Sequence, residues 1–253
     1  MTPDSPAPDS PTWITGRNRS IGAPAGDWRS HLSAAQGPET IELWWPFPTP
    51  VAPPAEIQAL VRTVRQQQLR LTAINLWGGD MTAGDRGILH RADLPRTHLE
   101  SILRIHEATG ADKFNLQLGR GGSDVLPSQV DRVRSIGEFL GNRVGGVVLI
   151  EPLSAMSDYP IRTIDRAWDL IGAAGTGGLL MDLYHLRANG EIGAELTAED
   201  LRRGLPTHVQ VADHPGRGEP GSGTAPLQHW VRQLRQAGYA GEVMGEWLPR
   251  PVT

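Results

Sequence analysis

The chain reads as a single (β/α)8 barrel, and three features lead there. Short apolar runs alternate with amphipathic helical segments from Ile41 to Glu246, which implies parallel strands joined by right-handed crossovers. The length of 253 residues suits one barrel domain rather than two small ones. Four of the runs end on a polar, metal-competent residue: Val147-Val148-Leu149-Ile150 on Glu151, Leu179-Leu180-Met181 on Asp182, Val209 on Gln210 and Val243-Met244-Gly245 on Glu246. Polar side chains at the carboxyl ends of successive parallel strands are how such a barrel builds a site at one mouth.

Taken in order, the elements begin weakly. Trp13-Ile14-Thr15 is the only N-terminal segment available for strand one, with a weak helix near Asp27 to Ala35 behind it. Ile41-Glu42-Leu43-Trp44-Trp45 reads as strand two. The helix from Pro54 to Gln68 carries Ile57, Leu60, Val61 and Val64 at i, i+3, i+4 and i+7, the spacing of one buried face. Leu71 to Leu76 is strand three. The polar, glycine-bearing stretch from Trp77 to Asp93 is long for a connection in a compact domain and reads as a functional loop. Leu99, Ile102 and Leu103 mark the next helix. Lys113 to Leu118 reads as strand four, leading into Gly119-Arg120-Gly121-Gly122. That stretch lacks the spacing of a phosphate loop and reads as a tight turn. Ser128 and Asp131 suggest an N-cap and acidic first turn, opening a helix with Val130, Val133, Ile136 and Leu140 inward. Ile161, Ile164, Trp168 and Ile171 mark one later helix, and Leu227, Trp230, Val231 and Leu234 the last full one. Only seven residues follow Glu246, two of them proline, so no closing helix is expected. The barrel is therefore expected to have thin or incomplete first and last βα units, and to be either complete or partly open. Residues 1–12 are expected to form a disordered Pro/Ser/Asp-rich tail, leaving 13–253 as the barrel domain.

Composition excludes several functions. A formal net charge of −4 without a basic cluster argues against nucleic-acid binding. There is no cysteine, so disulfides, thiolate nucleophiles and cysteine-ligated metals are ruled out, and a cytoplasmic enzyme fits. No apolar run approaches the roughly 18–20 residues of a membrane span, and Met1 to Pro11 has no apolar core, so it is neither signal peptide nor anchor. What remains is a small-molecule enzyme. Glu151, Asp182, Gln210 and Glu246 together offer three carboxylates and a neutral oxygen, a donor set for a hard cation such as Mg²⁺ or Mn²⁺.

The segments around these residues resemble the hydroxypyruvate isomerase family, within the xylose isomerase-like barrels. They are Ile150-Glu151-Pro152, Asp182-Leu183-Tyr184-His185, His208-Val209-Gln210-Val211-Ala212-Asp213, Pro215-Gly216-Arg217-Gly218-Glu219-Pro220-Gly221 and Gly245-Glu246-Trp247. Asn75-Leu76, Gly79-Asp80 and Ala83-Gly84-Asp85-Arg86-Gly87 match that family's loop after strand three. The resemblance spans roughly Glu42 to Pro249. It implies a metal site of Glu151, Asp182, Gln210 and Glu246, where the related epimerases usually have histidine in the third position. It also implies that Glu151 and Glu246 shuttle a proton through an enediolate. His185 would steady a substrate oxygen, Arg217 would hold a carboxylate bidentately from a flexible Gly-rich loop, and Asn75 would join the substrate contacts. The sequence departs from the family at Ser154, usually Asn, at Thr224, usually Glu, and at His214, usually apolar. Those changes point to altered specificity with the chemistry kept.

Each residue has a plainer alternative. Gln210 could be bonded to a barrel neighbour, His185 could be a satisfied structural histidine, and Arg217 a solvated loop residue. Trp44, Trp45 and Trp77 could line the mouth or pack beneath it. Glu42 should be buried and hydrogen-bonded inside the barrel, and His90 and His214 have no assigned role. The implied reaction is hydroxypyruvate to tartronate semialdehyde. Its rivals are a keto-sugar or oxo-tetronate isomerase or epimerase, a metal-assisted lyase on a related keto compound, and a non-catalytic barrel that binds ligands. The expected partner is a small hydroxy-keto acid or sugar, with pairing into a homo-oligomer through the helices.

Overall fold

The structure, a computed structural model, describes residues 12–22, 27–33, 35 and 38–249. Eight parallel strands close into a barrel in chain order: β1 (Gly16–Asn18), β2 (Glu39–Leu43), β3 (Leu69–Asn75), β4 (Lys113–Asn115), β5 (Val147–Ile150), β6 (Gly178–Asp182), β7 (His208–Val211) and β8 (Val243–Gly245). Between them run α1 (Trp28–Ser33), α2 (Pro54–Gln66), α3 (Arg96–Thr109), α4 (Pro127–Val144), α5 (Ile164–Ala174), α6 (Leu183–Ala188) and α7 (Leu227–Gln236). The ring is complete, because β1 pairs with β8 through Gly16 opposite Met244 and Arg17 opposite Gly245. The first unit is thin as expected: α1 has six residues, and residues 246–249 form no helix. Most of the expected tail, residues 1–11, lies outside the described residues.

Hydrophobic burial explains the helices. Ile57, Leu60, Val61 and Val64 of α2, Val133, Ile136 and Leu140 of α4, and Leu227, Trp230, Val231 and Leu234 of α7 all turn to the barrel wall and are buried. The strands β5 and β6 are apolar along nearly their whole length, as strands covered on both faces tend to be, and β7 is buried throughout although it carries His208 and Gln210. No described helix is long and apolar enough to cross a membrane.

Several boundaries differ from the sequence reading, and three of them have a clear physical reason. Strand one is Gly16–Asn18, three residues past Trp13-Ile14-Thr15. Its short polar run is chosen by ladder bonds to β2 and β8 rather than by hydrophobicity. Strand four stops at Asn115, although apolar residues continue to Leu118. Leu116 and Leu118 are buried beneath the long 77–93 connection, which pairs Gly87 with Leu118 and donates His90 N–H to the Leu118 carbonyl at 3.1 Å. Helix α4 is capped at Leu126, not Ser128. Pro127 occupies the first helical position, where its missing N–H costs nothing, and Gln129 Oε1 accepts the Leu126 N–H at 2.8 Å.

Candidate active site

Every strand delivers a polar side chain at its carboxyl end: Asn18, Glu42, Asn75, Asn115, Glu151, Asp182, Gln210 and Glu246 in barrel order. All are buried except Asn75, which is half-buried at the rim. The mouth above them is a cavity of about 470 Å³. Glu151, His185, Arg217, Glu246 and Asn75 line it.

The four residues expected from the strand ends come from the adjacent strands β5 to β8, with Asp182 directly opposite Gln210. Glu151 Oε2 accepts Asn115 Nδ2–H at 2.7 Å. Asp182 caps α6 by accepting the Tyr184 N–H at 2.9 Å, and its other oxygen accepts Arg217 Nη2–H at 3.1 Å. Glu246 Oε1 accepts from Asn18 Nδ2 at 2.9 Å and from Trp44 Nε1 at 3.0 Å, while its Oε2 is bound by Arg217. Gln210 donates Nε2–H to Glu42 Oε2 at 2.6 Å, and its Oε1 is buried without a hydrogen-bond partner. Glu42 reaches His208 Nε2 with its second oxygen. Glu42 is thus buried and bonded within the barrel as expected, and it fixes which end of the Gln210 amide is free.

His185 follows Asp182 by one helical turn. Its Nε2 lies 3.6 Å from Asp182 Oδ2 and 3.9 Å from Glu151 Oε1. Its Nδ1 faces Ser154, 2.7 Å from the hydroxyl and 3.1 Å from the backbone N–H. The departure at Ser154 therefore sits directly behind this imidazole. Ligand atoms of Glu151, Asp182 and His185 all lie within 4.8 Å of one another, a buried triad able to hold a metal ion.

Arg217 is held rather than loose. Asp213 accepts backbone N–H groups of His214 (2.8 Å), Gly221 (2.8 Å) and Ala225 (3.0 Å), lacing its loop together. Leu248 N–H donates to the Arg217 carbonyl at 2.9 Å. Arg217 itself sits at φ +53°, a left-handed conformation that a non-glycine residue keeps only when its surroundings impose it. Its guanidinium spans Asp182, Glu246 and His185 Nε2, the last at 3.0 Å.

Electrostatics follow from this crowding. Burial pushes Glu246 up to about 7, helped by the Asp182 and Glu42 charges and opposed by Arg217. Burial, with Glu246 and Asp182 alongside, raises Glu151 well above the usual carboxylate range. Burial lowers His185 to about 4, so its ring is neutral at pH 7. The donor set fits a divalent cation on two counts. The Gln210 Oε1 is a buried acceptor without a partner, on the strand between those of Asp182 and Glu246. The Arg217 guanidinium also stands where positive charge is wanted between Asp182 and Glu246.

The sequence pattern of xylose isomerase-like TIM barrels matches residues 31–251. The chain belongs to that family. A Streptomyces coelicolor protein named "Putative hydroxypyruvate isomerase" is 32% identical over 240 residues, covering 87% of this chain and 85% of that one. The hydroxypyruvate isomerase of Escherichia coli is 28% identical, covering 78% and 80%, so the resemblance drawn from the motifs holds. Among solved structures, a Brucella melitensis protein titled AP endonuclease, family 2 superposes with a TM-score of 0.75 over 94% of both chains. At 22% identity it shares the fold alone.

Several site residues escape a sequence reading. Asn18 lies past the apolar segment Trp13-Ile14-Thr15, and Asn115 lies within a run that continues to Leu118, so neither stands at a visible strand end. The rule that found Glu151 would have found both once the strand ends were right. Trp44 gives no sign in the sequence that its indole reaches Glu246 across 202 positions.

Proposed function

We propose that this isomerase moves a proton between neighbouring carbons of a small α-hydroxy keto acid, with Glu151 and Glu246 as the acid–base pair. The observation that carries the reading is that both are buried, proton-affine carboxylates at one mouth, on β5 and β8, with Asp182 between them in barrel order. A carboxyl group near pH 7 can both take and return a proton under neutral conditions. Glu246 holds its proton at a carboxylate already oriented by Asn18 and Trp44 at Oε1 and by Arg217 at Oε2. Glu151 is oriented by Asn115.

Glu151, Asp182, Gln210 and Glu246 would hold Mg²⁺ or Mn²⁺, with His185 close enough to Glu151 and Asp182 to share in it. When bound, such a cation supplies Lewis acidity that polarises a carbonyl and acidifies the adjacent C–H. His185, neutral and backed by Ser154, stands at the cavity wall beside a bound substrate's oxygens. Arg217 holds its charge over the reacting end, since the Glu246, Asp182 and Glu151 charges outweigh the burial that opposes its cation. Asn75 lines the rim for the remainder of the substrate.

The relatives support this class: besides the hydroxypyruvate isomerases, a Cupriavidus necator protein named 2-oxo-tetronate isomerase is 26% identical, covering 89% of this chain and 88% of its own. The test is deuterium uptake by NMR in D₂O. Hydroxypyruvate, tartronate semialdehyde, 2-oxo-tetronates and ketoses would each be run with Mn²⁺ or Mg²⁺ and again with chelator. Metal-dependent exchange at the carbon beside a carbonyl of an acid supports the proposal. Exchange confined to ketoses, or no exchange from any metal-loaded sample, refutes it.

A further inference from the structure

The long connection between β3 and α3 places a second arginine in the cavity of the site. Arg86 is half-buried there and lines the same space as Glu151, His185 and Glu246. Its one side-chain hydrogen bond within the described residues runs from Nη1 to the carbonyl oxygen of Asp85 at 2.6 Å. The Asp85 carboxylate itself is taken by Arg91, whose Nη1 donates to Oδ1 at 2.8 Å.

Of the three arginines at this mouth, two have anions. Arg120 is paired with Asp158 at 3.0 Å, and Arg217 with Asp182 and Glu246. Arg86 has none among the described residues. Burial, together with the charges of Arg120 and Arg217, works against its cation. A guanidinium kept partly out of water without an anion is unfavourable unless a ligand supplies one.

The backbone makes this placement deliberate. The Arg86 carbonyl accepts the Gly119 N–H at 2.6 Å, and Gly87 N–H donates to Gly78 O at 2.8 Å. Gly87 sits at φ +91°, and a Cβ there would lie 1.9 Å from the Gln117 carbonyl oxygen. Only glycine permits so close an approach. Loop and turn are thereby fastened together, and Arg86 is fixed at its base.

We propose that Arg86 is an anion subsite that anchors the carboxylate of the substrate, a short 2-oxo or 2-hydroxy acid. This rests on the isomerase reading above and refines it. Arg217 lies over Asp182, Glu246 and His185 at the reacting end, and Arg86 takes the acid end. A planar guanidinium with an uncommitted edge binds a carboxylate bidentately, which an ammonium cannot do.

The test compares equilibrium binding of glycerate and its neutral amide, glyceramide, to the Mn²⁺-loaded protein by calorimetry. Wild type is expected to prefer glycerate. Arg86→Gln is expected to lose glycerate affinity by roughly 10- to 100-fold, the range of a charge-assisted hydrogen-bonded pair, while keeping that for glyceramide. Arg86→Lys should recover only part of the loss. In turnover of hydroxypyruvate, Arg86→Gln should raise KM at least tenfold with a smaller fall in kcat. Unchanged glyceramide affinity shows that the variant is folded. Equal glycerate affinity in wild type and Arg86→Gln overturns the subsite, as does a wild type that does not distinguish acid from amide. Deuterium exchange into hydroxypyruvate, read on the same wild-type sample, reports separately on the reaction, so either proposal can fail without the other.

Discussion

His98 should make the fold acid-sensitive in a way that one substitution removes. Its ring, on α3, is fully buried and packs edge-on against Trp45 at 4.4 Å. Nδ1–H donates to the Pro50 carbonyl at 2.8 Å, and Nε2 accepts the Trp77 N–H at 3.1 Å. Both nitrogens are thus used by the neutral ring, and a proton added at Nε2 would confront the Trp77 N–H. Burial lowers the pKa to about 4, from an ordinary value near 6.5. Because the folded pKa is the lower one, the unfolded chain binds the extra proton first, and stability is lost as pH falls from about 6.5 to 4. The shift corresponds to about 3 kcal/mol in full, with roughly three-quarters of it gone by pH 4.5. His98→Gln can donate to Pro50 and accept from Trp77 without titrating. Urea unfolding of both proteins in chelator at pH 7 and pH 4.5 isolates the effect, since Glu246, Glu151 and His185 titrate in both. The wild type should lose about 2 kcal/mol more than the variant. A difference between the two proteins that does not change with pH would refute the reasoning.

Other outcomes follow from the site. Glu246→Gln should keep its circular dichroism and lose at least about 100-fold in the rate of deuterium exchange; exchange at the wild-type rate would remove Glu246 from the proton path. Mn²⁺ at about 100 times its Kd should stabilise the protein by roughly 2.7 kcal/mol in thermal or urea unfolding. Because Glu246 and Glu151 hold protons that the cation must displace, its apparent affinity should rise between pH 5.5 and 7.5, measured by calorimetric titration. Glu42→Ala leaves the Gln210 amide and His208 Nε2 buried without their acceptor, and should cost about 3 kcal/mol in urea unfolding.

The class of fold and the heart of the site are written locally in the chain. Alternating apolar runs and helical stripes encode a βα repeat because burial needs a period of two in strands and 3.6 in helices. Glu151, Asp182, Gln210 and Glu246 were legible because each directly follows or ends an apolar run, so their placement is a local property of the chain. Tertiary structure alone decided the rest. Whether the ring closes depends on Gly16–Asn18 pairing with β8, a contact across 228 positions with no hydrophobic signature. The Gln210 amide is oriented by Glu42 from 168 residues away, and Glu246 is braced by Asn18 and Trp44 from the far end of the chain. Arg86 and Arg217 look alike in sequence, each set beside glycines in a polar loop. They differ only in which carboxylates the fold brings to them, because charge pairing acts through space over a few ångströms and leaves no pattern along the chain.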